Sequence, residues 1–522
     1  MPRESDTPPR SPSESARSPR REWLCLLVPA VILVAFRLHA FGGPLETDEC
    51  NYAYIGARLL DGDRLYVDVW DHQPPGVFVL FAGLTALAGN SETSIRVFAL
   101  LWSLATLAFV YLVARRSLTP GAAWIAALLF AMASSDPGVA GEGANREIYM
   151  NALVVGSVAC LMRPTLARVL LAGTLLGLAS TMKTVVAAQW FALLIALWIG
   201  QASGGRPAIP RLARATLAFA AGPALIWTAV AGYFAATDRF AVFYDAVFTY
   251  NLTYSQMSSG PLARFAEFFV AGQPSSWAVF RTALPLWLAG GAGLVAAAIR
   301  FGRRDRPGAA LVLALALGSF VAVCLPRQFW PHYYLLMLPS LAILAGASMD
   351  LLTARVAKGY AAVLIATLLL TQGLFYLLAP ADLIGVQRYK MRMLWARDQA
   401  GRLADVTEPT DSTFVWGNAD AGIYYYSQRR CATRFTMVGS LLGEDPAARR
   451  RQSLLIDDLT RNRPRVILQA MPFIPPMEQF LQENGYTEAG HDYDPASRSV
   501  RMYVYDDPSR PIRRIDWSWS EP

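Results

Sequence analysis

The chain runs to 522 residues, of which 54% are hydrophobic and only 16% charged. Soluble globular chains carry roughly a quarter charged residues, so the composition excludes water-soluble packing for most of the length, in keeping with a mean hydropathy of +0.31. Net charge is +8, yet no basic face interleaved with aromatics appears, which excludes nucleic acid as the expected partner.

In chain order, the first 22 residues are rich in Pro, Ser and Arg and read as a disordered leader on the cytoplasmic side. Residues 23–379 read as a transmembrane domain. Apolar runs long enough to cross a hydrocarbon core of roughly 30 Å, about 17–25 residues each, fall at 23–41, 95–114, 119–136, 148–163, 167–182, 184–200, 212–236, 278–299, 309–325, 333–349 and 359–378. The first is an anchor rather than a removable signal peptide, since it lacks a small-residue cleavage site.

The apolar segment 74–89 opens with two prolines, and charge decides its reading. If it stays on one side, the loops carrying Arg115, Arg116, Arg163, Arg168, Arg206, Arg211, Arg214, Arg300, Arg303, Arg304, Arg306, Arg355 and Lys358 all share the side of the basic N-terminus. Basic loops resist translocation, so that side is cytoplasmic. The segment is therefore an interfacial or re-entrant helix. Eleven spans result, with 42–94, 137–147, 237–277, 326–332 and 380–522 outside. The expected fold is mainly α: a polytopic membrane helix bundle with interfacial helices in the first outer loop, plus a small extracytoplasmic α/β domain at 380–522.

Within that tail, strands are expected at STFVWG, ATRFTMV, RVILQA and VRMYVYD. Helices are expected from Asp420 to Arg429, around ARRRQSLLIDDLTRN, and at PPMEQFLQENG. GNADAG at 417–422 lacks the GxGxxG order, so no dinucleotide site is expected. The five cysteines show no CxxC spacing. Cys50 and Cys431 share the outer side, where two free thiols are expected over a disulfide.

Ionisable groups at the membrane edge are costly and default to functional hypotheses. The first outer loop holds the densest set: Asp48, Glu49, Asp61, Asp63, Asp68, Asp71 and His72. Asp48 to Leu60 has helical spacing with carboxylates at its start, where a helix favours negative charge. A capped helix lying on the membrane accounts for much of this stretch, and DGDR at 61–64 reads as a turn. Glu147, Lys183, Arg327, His332 and Tyr333 come from separate segments to the same outer face. Cations to hold a phosphate and a carboxylate to take a proton suit an anionic, lipid-borne substrate.

Several motifs here resemble the GT-C superfamily of integral-membrane glycosyltransferases, and within it the lipid A aminoarabinose transferase and protein O-mannosyltransferase branch. They are the Asp48-Glu49 pair, YxxIGxxLLDG, LYxDVWDHQPPG, the acidic residue opening the fourth span, LLGLASTMK and PHYYLLMLP. The likeness runs over 23–350, and its most specific parts are the acidic pair and DHQPPG. It implies a polyprenyl-phosphate sugar donor, an acceptor that is a lipid, glycan or protein, membrane lipid as surroundings, and work on the extracytoplasmic face of the cell membrane. It makes Asp48 the catalytic base, with Glu49 and Glu147 as further catalytic carboxylates, although family members mostly show Asp where Glu147 stands. Lys183 and Arg327 become the phosphate-holding cations, with His332, Tyr333, Tyr54 and His72 lining the substrate site. It implies no cofactor and no metal ligand set. Two rival readings are a lipid or sugar transporter, which would place charges mid-span, and a non-enzymatic envelope assembly factor in which Asp48 is dispensable.

Overall fold

The computed structural model describes residues 24–202, 209–256, 274–303, 306–377, 388–417, 421–493 and 499–505. The expected leader at 1–22 and residues 418–420 of GNADAG lie outside the described residues.

Every expected span falls on a helix. These are α1 (Leu27–His39), α4 (Glu92–Ser117), α5 (Pro120–Ala133), α6 (Arg146–Leu161), α7 (Leu166–Ser180), α8 (Val186–Ala202), α9 (Ile209–Ala236), α12 (Pro274–Arg303), α13 (Arg306–Cys324), α14 (Leu338–Met349) and α15 (Ala354–Leu377). A 3₁₀ segment at Pro331–Met337 leads into α14. Among the described residues, six helices are long and apolar enough to cross a membrane; α1, α5, α7 and α8 are shorter apolar helices. The apolar side chains of α9 and α15 are largely outward, with Leu217, Leu225, Val363 and Leu370 exposed. In water that would be costly, whereas hydrocarbon surroundings make it neutral.

The loop at 42–94, expected outside, folds as two helices, α2 (Thr47–Leu60) and α3 (Gly76–Ala88), packed on each other. With 13 residues, α3 falls short of a span. The expectation of a helix lying on the membrane surface at 48–60 is corrected in one respect: Cys50 to Gly56 are buried, because α2 is sandwiched between α3 and the C-terminal segment. The loop between α5 and α6 is fixed by two buried arginines that donate to its carbonyls. Arg37 reaches Gly143 O at 3.0 Å and Ser134 O at 3.2 Å, and Arg96 reaches Glu142 O at 3.2 Å. A buried guanidinium has five donors to satisfy, and irregular backbone offers the acceptors.

After α9, α10 (Phe240–Tyr244) and α11 (Tyr250–Gln256) are joined by a π turn at Asp245–Thr249. The tail begins with α16 (Arg388–Val406), which sequence reading left unassigned although Trp395, Ala396, Gln399, Ala400 and Leu403 give it a helical buried stripe. It then forms β1 (Ser412–Trp416), α17 (Ala421–Ser427), β2 (Arg430–Cys431), α18 (Pro446–Asn462), β3 (Val466–Gln469), α19 (Pro475–Glu483), β4 (Tyr486–Tyr493) and β5 (Ser499–Tyr505). The mixed sheet has the order β2-β1-β3-β5-β4, parallel through β1 to β3 and antiparallel through β5 to β4.

One expectation fails here, and one strand was not foreseen. ATRFTMV is not a strand: the ladder stops at Cys431, and the Thr433 hydroxyl turns back to accept from Phe435 N at 3.1 Å, a local bond that competes with sheet pairing. The edge strand β4 was not foreseen, because its Gly490 and charged residues read as loop and a bulge interrupts it between Glu488 and Gly490.

The residues that leave the sheet dock on the loop at 42–94. Cys431 N donates to the Tyr54 hydroxyl at 2.8 Å, Thr436 Oγ1 to Asn51 Oδ1 at 2.6 Å, and Trp70 N to Arg434 O at 2.7 Å. Cys50 and Cys431 are buried free thiols.

Candidate active site

The start of α2 is set by a capping box: Glu49 Oε2 accepts from Glu46 N at 3.1 Å. Its other oxygen accepts from Ala144 N at 2.5 Å, which is feasible only because residue 143 is glycine. A Cβ at Gly143 would stand 2.2 Å from Glu49 Oε1. Glu49 is fully buried in this role. Asp48 is its chain neighbour, and successive helical side chains diverge by about 100°, so Asp48 faces elsewhere.

The site Asp48 faces is assembled from four segments. One turn on, Tyr52 donates to Asp48 Oδ2 at 3.3 Å, the i,i+4 geometry of one helix face. The Arg146 guanidinium donates to the Tyr52 hydroxyl and lies over its ring at 5.7 Å. Glu147, at the start of α6, accepts from Lys183 Nζ at 2.9 Å and stands 3.5 Å from Arg146 Nε. Lys183 sits 3.1 Å from the Tyr333 ring centroid, a close cation–π contact. His332, with its ring against Tyr333, places Nε2 3.8 Å from Asp48 Oδ2. Two cations thus face two carboxylates in a nearly dry site, where each charge requires its partner.

Exposure separates the three expected carboxylates. The Asp48 side chain is 32% exposed, and that of Glu147 is fully buried. Two polar atoms in this cluster, Glu147 Oε2 and His332 Nε2, are buried without a hydrogen-bond partner among the described residues.

Two motif blocks meet at Gly76. Its N–H donates to Thr181 O at 2.8 Å, and a Cβ there would stand 2.2 Å from Thr181 Oγ1. Thr181 belongs to the turn that presents Lys183, so DHQPPG positions the STMK turn by backbone contact. Ahead of Gly76, Asp71 is buried, with its carboxylate accepting from Asn51 Nδ2 at 2.7 Å and Gln73 N at 2.8 Å. Burial pushes the Asp71 carboxyl up to about 7, the Gln73 N–H opposing and the negative Asp48 reinforcing that rise. His72, ringed by Tyr250 at 5.4 Å and Tyr254 at 5.3 Å, is pushed down to about 3 by burial and then by the positive Arg146. It is therefore a neutral imidazole at ordinary pH.

Of the residues expected at the site, Asp48, Glu147, Lys183, His332 and Tyr333 come together, with His72 at the margin. Glu49 lies in the cap. Tyr54 turns away and accepts from the tail at Cys431. Arg327 is buried in a left-handed turn, φ 58°, five residues ahead of His332 on the same segment. Arg58 and Arg64 are held in ion pairs with their own loop's Asp61, Asp63 and Asp68 at 2.8 Å each. Sequence reading missed Tyr52, Arg146 and Asp71 as partners. The signal for Tyr52 was its i+4 spacing from Asp48, and for Arg146 its place beside Glu147 at a span's outer end.

A family model described as dolichyl-phosphate-mannose-protein mannosyltransferase matches residues 72–227, which include the DHQPPG block from His72, Glu147 and Lys183. Among solved structures, ArnT from Cupriavidus metallidurans bound to undecaprenyl phosphate is similar over 92% of this chain and 98% of its own, with TM-score 0.62 and 18% identity. Its apo form gives TM-score 0.57 at 18% identity over 93% and 98%. The archaeal oligosaccharyltransferase AglB from Archaeoglobus fulgidus, in complex with an inhibitory peptide and a dolichol-phosphate, gives 0.49 at 14% identity over 94% and 75%. No curated protein sequence matches the chain. The chain thus has an ArnT-like fold, and residues 72–227 resemble the protein mannosyltransferase family.

Proposed function

We propose that this GT-C-like membrane protein moves a sugar from a polyprenyl-phosphate donor to an extracytoplasmic acceptor hydroxyl by a single inverting displacement. The observation that carries the reading is the convergence of Asp48, Arg146, Glu147, Lys183 and His332 on one site from four chain segments, with Asp48 its open carboxylate.

In this mechanism the acceptor oxygen attacks the anomeric carbon while its proton passes to Asp48. Tyr52 already bonds Oδ2, and Arg146 in turn bonds Tyr52, so the carboxylate is oriented. The bond from the anomeric carbon to the phosphate oxygen breaks, and the electron pair leaves with polyprenyl phosphate. Lys183 and Arg327 hold that phosphate, and fixed cations in a dry site lower the cost of the developing charge. Glu147 accepts only one of the three Lys183 protons, which leaves Lys183 donors for the phosphate. The unpartnered Glu147 Oε2 and His332 Nε2 are available to sugar hydroxyls. Glu49 is assigned the cap of α2 and acts on the reaction only through the position of Asp48.

The membrane arrangement that goes with this reading has eleven spans, a cytoplasmic N-terminus and the tail outside the cytoplasm. Reporters fused after residues 116 and 400 should read cytoplasmic and extracytoplasmic respectively; a cytoplasmic tail would separate the proposed site from its lipid-linked donor. The decisive assay incubates purified protein with a panel of radiolabelled polyprenyl-phosphate sugars and follows the label. Label that leaves the lipid for an acceptor supports the reading, and label that merely crosses a vesicle membrane refutes it in favour of transport.

A further inference from the structure

The loop between α9 and α12 carries no residue of the reaction outlined above, yet it delivers a row of rings to the edge of the site. The π turn at Asp245–Thr249 inserts a residue into the helix, and such turns recur at functional sites. Directly after it, Tyr250 and Tyr254 lie four residues apart on one face of α11, their rings stacked at 6.0 Å with an interplanar angle of 27°. Asn251 clamps this face to the first outer loop, donating to His72 O at 2.7 Å and Val247 O at 2.9 Å. The His72 ring packs on both tyrosines.

Tyr254 also reaches the other end of the site, where its hydroxyl stands beside the Tyr333 and Trp330 side chains. Tyr333 is the ring on which Lys183 rests. The row Tyr333, Tyr254, His72 therefore runs from the phosphate-holding lysine to the loop that carries Asp71. Tyr250 and Trp70 back the row and are buried, while Tyr254 and His72 retain partial exposure.

We infer that Tyr254 and His72 form a wall on which the donor's sugar ring stacks, between the phosphate and Asp48. The inference rests on the polyprenyl-phosphate-sugar reading and adds the residues that grip the sugar itself. A pyranose or pentose ring presents a face of C–H bonds, which packs on an aromatic face whose π-cloud is negative. With the phosphate pinned by Lys183 and the ring flat on the wall, the hydroxyl edges turn to His332 Nε2 and Glu147 Oε2, both lacking partners. Neutral His72 suits this use better than an imidazolium, which would repel the neighbouring cations. Stacking tolerates different hydroxyl patterns, so the wall recognises a sugar ring as a class.

The test uses the full chain in lipid nanodiscs and measures equilibrium binding of undecaprenyl phosphate, bare or carrying glucose, mannose or arabinose. The native protein should bind at least one sugar-bearing lipid about three- to tenfold more tightly than the bare one. Tyr254→Ala should erase that difference while leaving bare undecaprenyl phosphate binding unchanged, and Tyr254→Phe, which keeps the ring, should retain it. A Tyr254→Ala protein that still prefers the sugar-bearing lipid overturns the wall, as does equal weakening of all four lipids or a native protein with no preference for any sugar. Failure of the native protein to bind even bare undecaprenyl phosphate would instead refute the donor reading on which the inference stands.

Discussion

Replacing Asp48 by Asn tests the base with little collateral damage. The Asn Oδ1 can still accept from the Tyr52 hydroxyl, now 3.3 Å from Asp48 Oδ2, and the side chain is one-third exposed, so no buried group is orphaned and the fold should hold. What disappears is the capacity to take the acceptor's proton. Positioned general bases contribute about 10²- to 10⁴-fold, equivalent to about 3–5.5 kcal/mol of barrier. Turnover should fall by that factor with donor binding nearly unchanged, because the phosphate is held by other groups. Glu49→Gln provides the contrast. Glu49 accepts from two backbone N–H groups, of Ala144 and Glu46, and Gln has a single acceptor oxygen. One N–H would face an amide NH₂ instead, at a cost of about 1–3 kcal/mol. Thermal stability should drop while the activity of the folded fraction persists. The assay is label transfer at matched folded protein, with donor binding and melting followed in parallel. Asp48→Asn activity within tenfold of native, at equal donor affinity, would refute Asp48 as the base.

Lys183→Ala strips one cation from the buried Glu147, and breaking such a pair typically costs about 3–5 kcal/mol, so stability and donor binding should both fall; adding Glu147→Ala should recover stability but not binding of undecaprenyl phosphate, and recovery of both would make Lys183 purely structural. Gly76→Ala drives a Cβ to 2.2 Å from Thr181 Oγ1, an overpacking worth about 1–3 kcal/mol; lowered melting together with weakened donor binding is expected, and binding unchanged in the folded fraction would uncouple this contact from Lys183. Asp71 titrates near 7 in the fold against 3.8 unfolded, so the native state holds its proton more tightly. Its contribution to stability is complete below 3.8 and is lost as pH rises through about 7. Melting temperature should decline over that window, and Asp71→Asn should flatten the decline; an unchanged slope would remove Asp71 as its source.

The sequence by itself determined where the apolar helices lie and which loop gathers the ionisable groups. Apolar runs of spanning length are local properties, written residue by residue, so every expected span lies on a helix. The Asp48-Glu49 pair, Glu147, Lys183 and His332 were legible for a related reason: an ionisable group at a span's outer end is expensive and therefore conspicuous. Which of two adjacent carboxylates faces the site was not legible, because that depends on the distant Ala144 N–H and on the absence of a side chain at Gly143. Tyr54 illustrates the same limit, since helical spacing alone could not show that its hydroxyl belongs to Cys431. ATRFTMV carries strand-like residues, yet Phe435 and Thr436 are spent on Trp70 and Asn51 of the first outer loop. Tertiary contacts between segments distant in the chain decided these assignments, because pairing across the fold satisfies buried polar groups that local propensity leaves open.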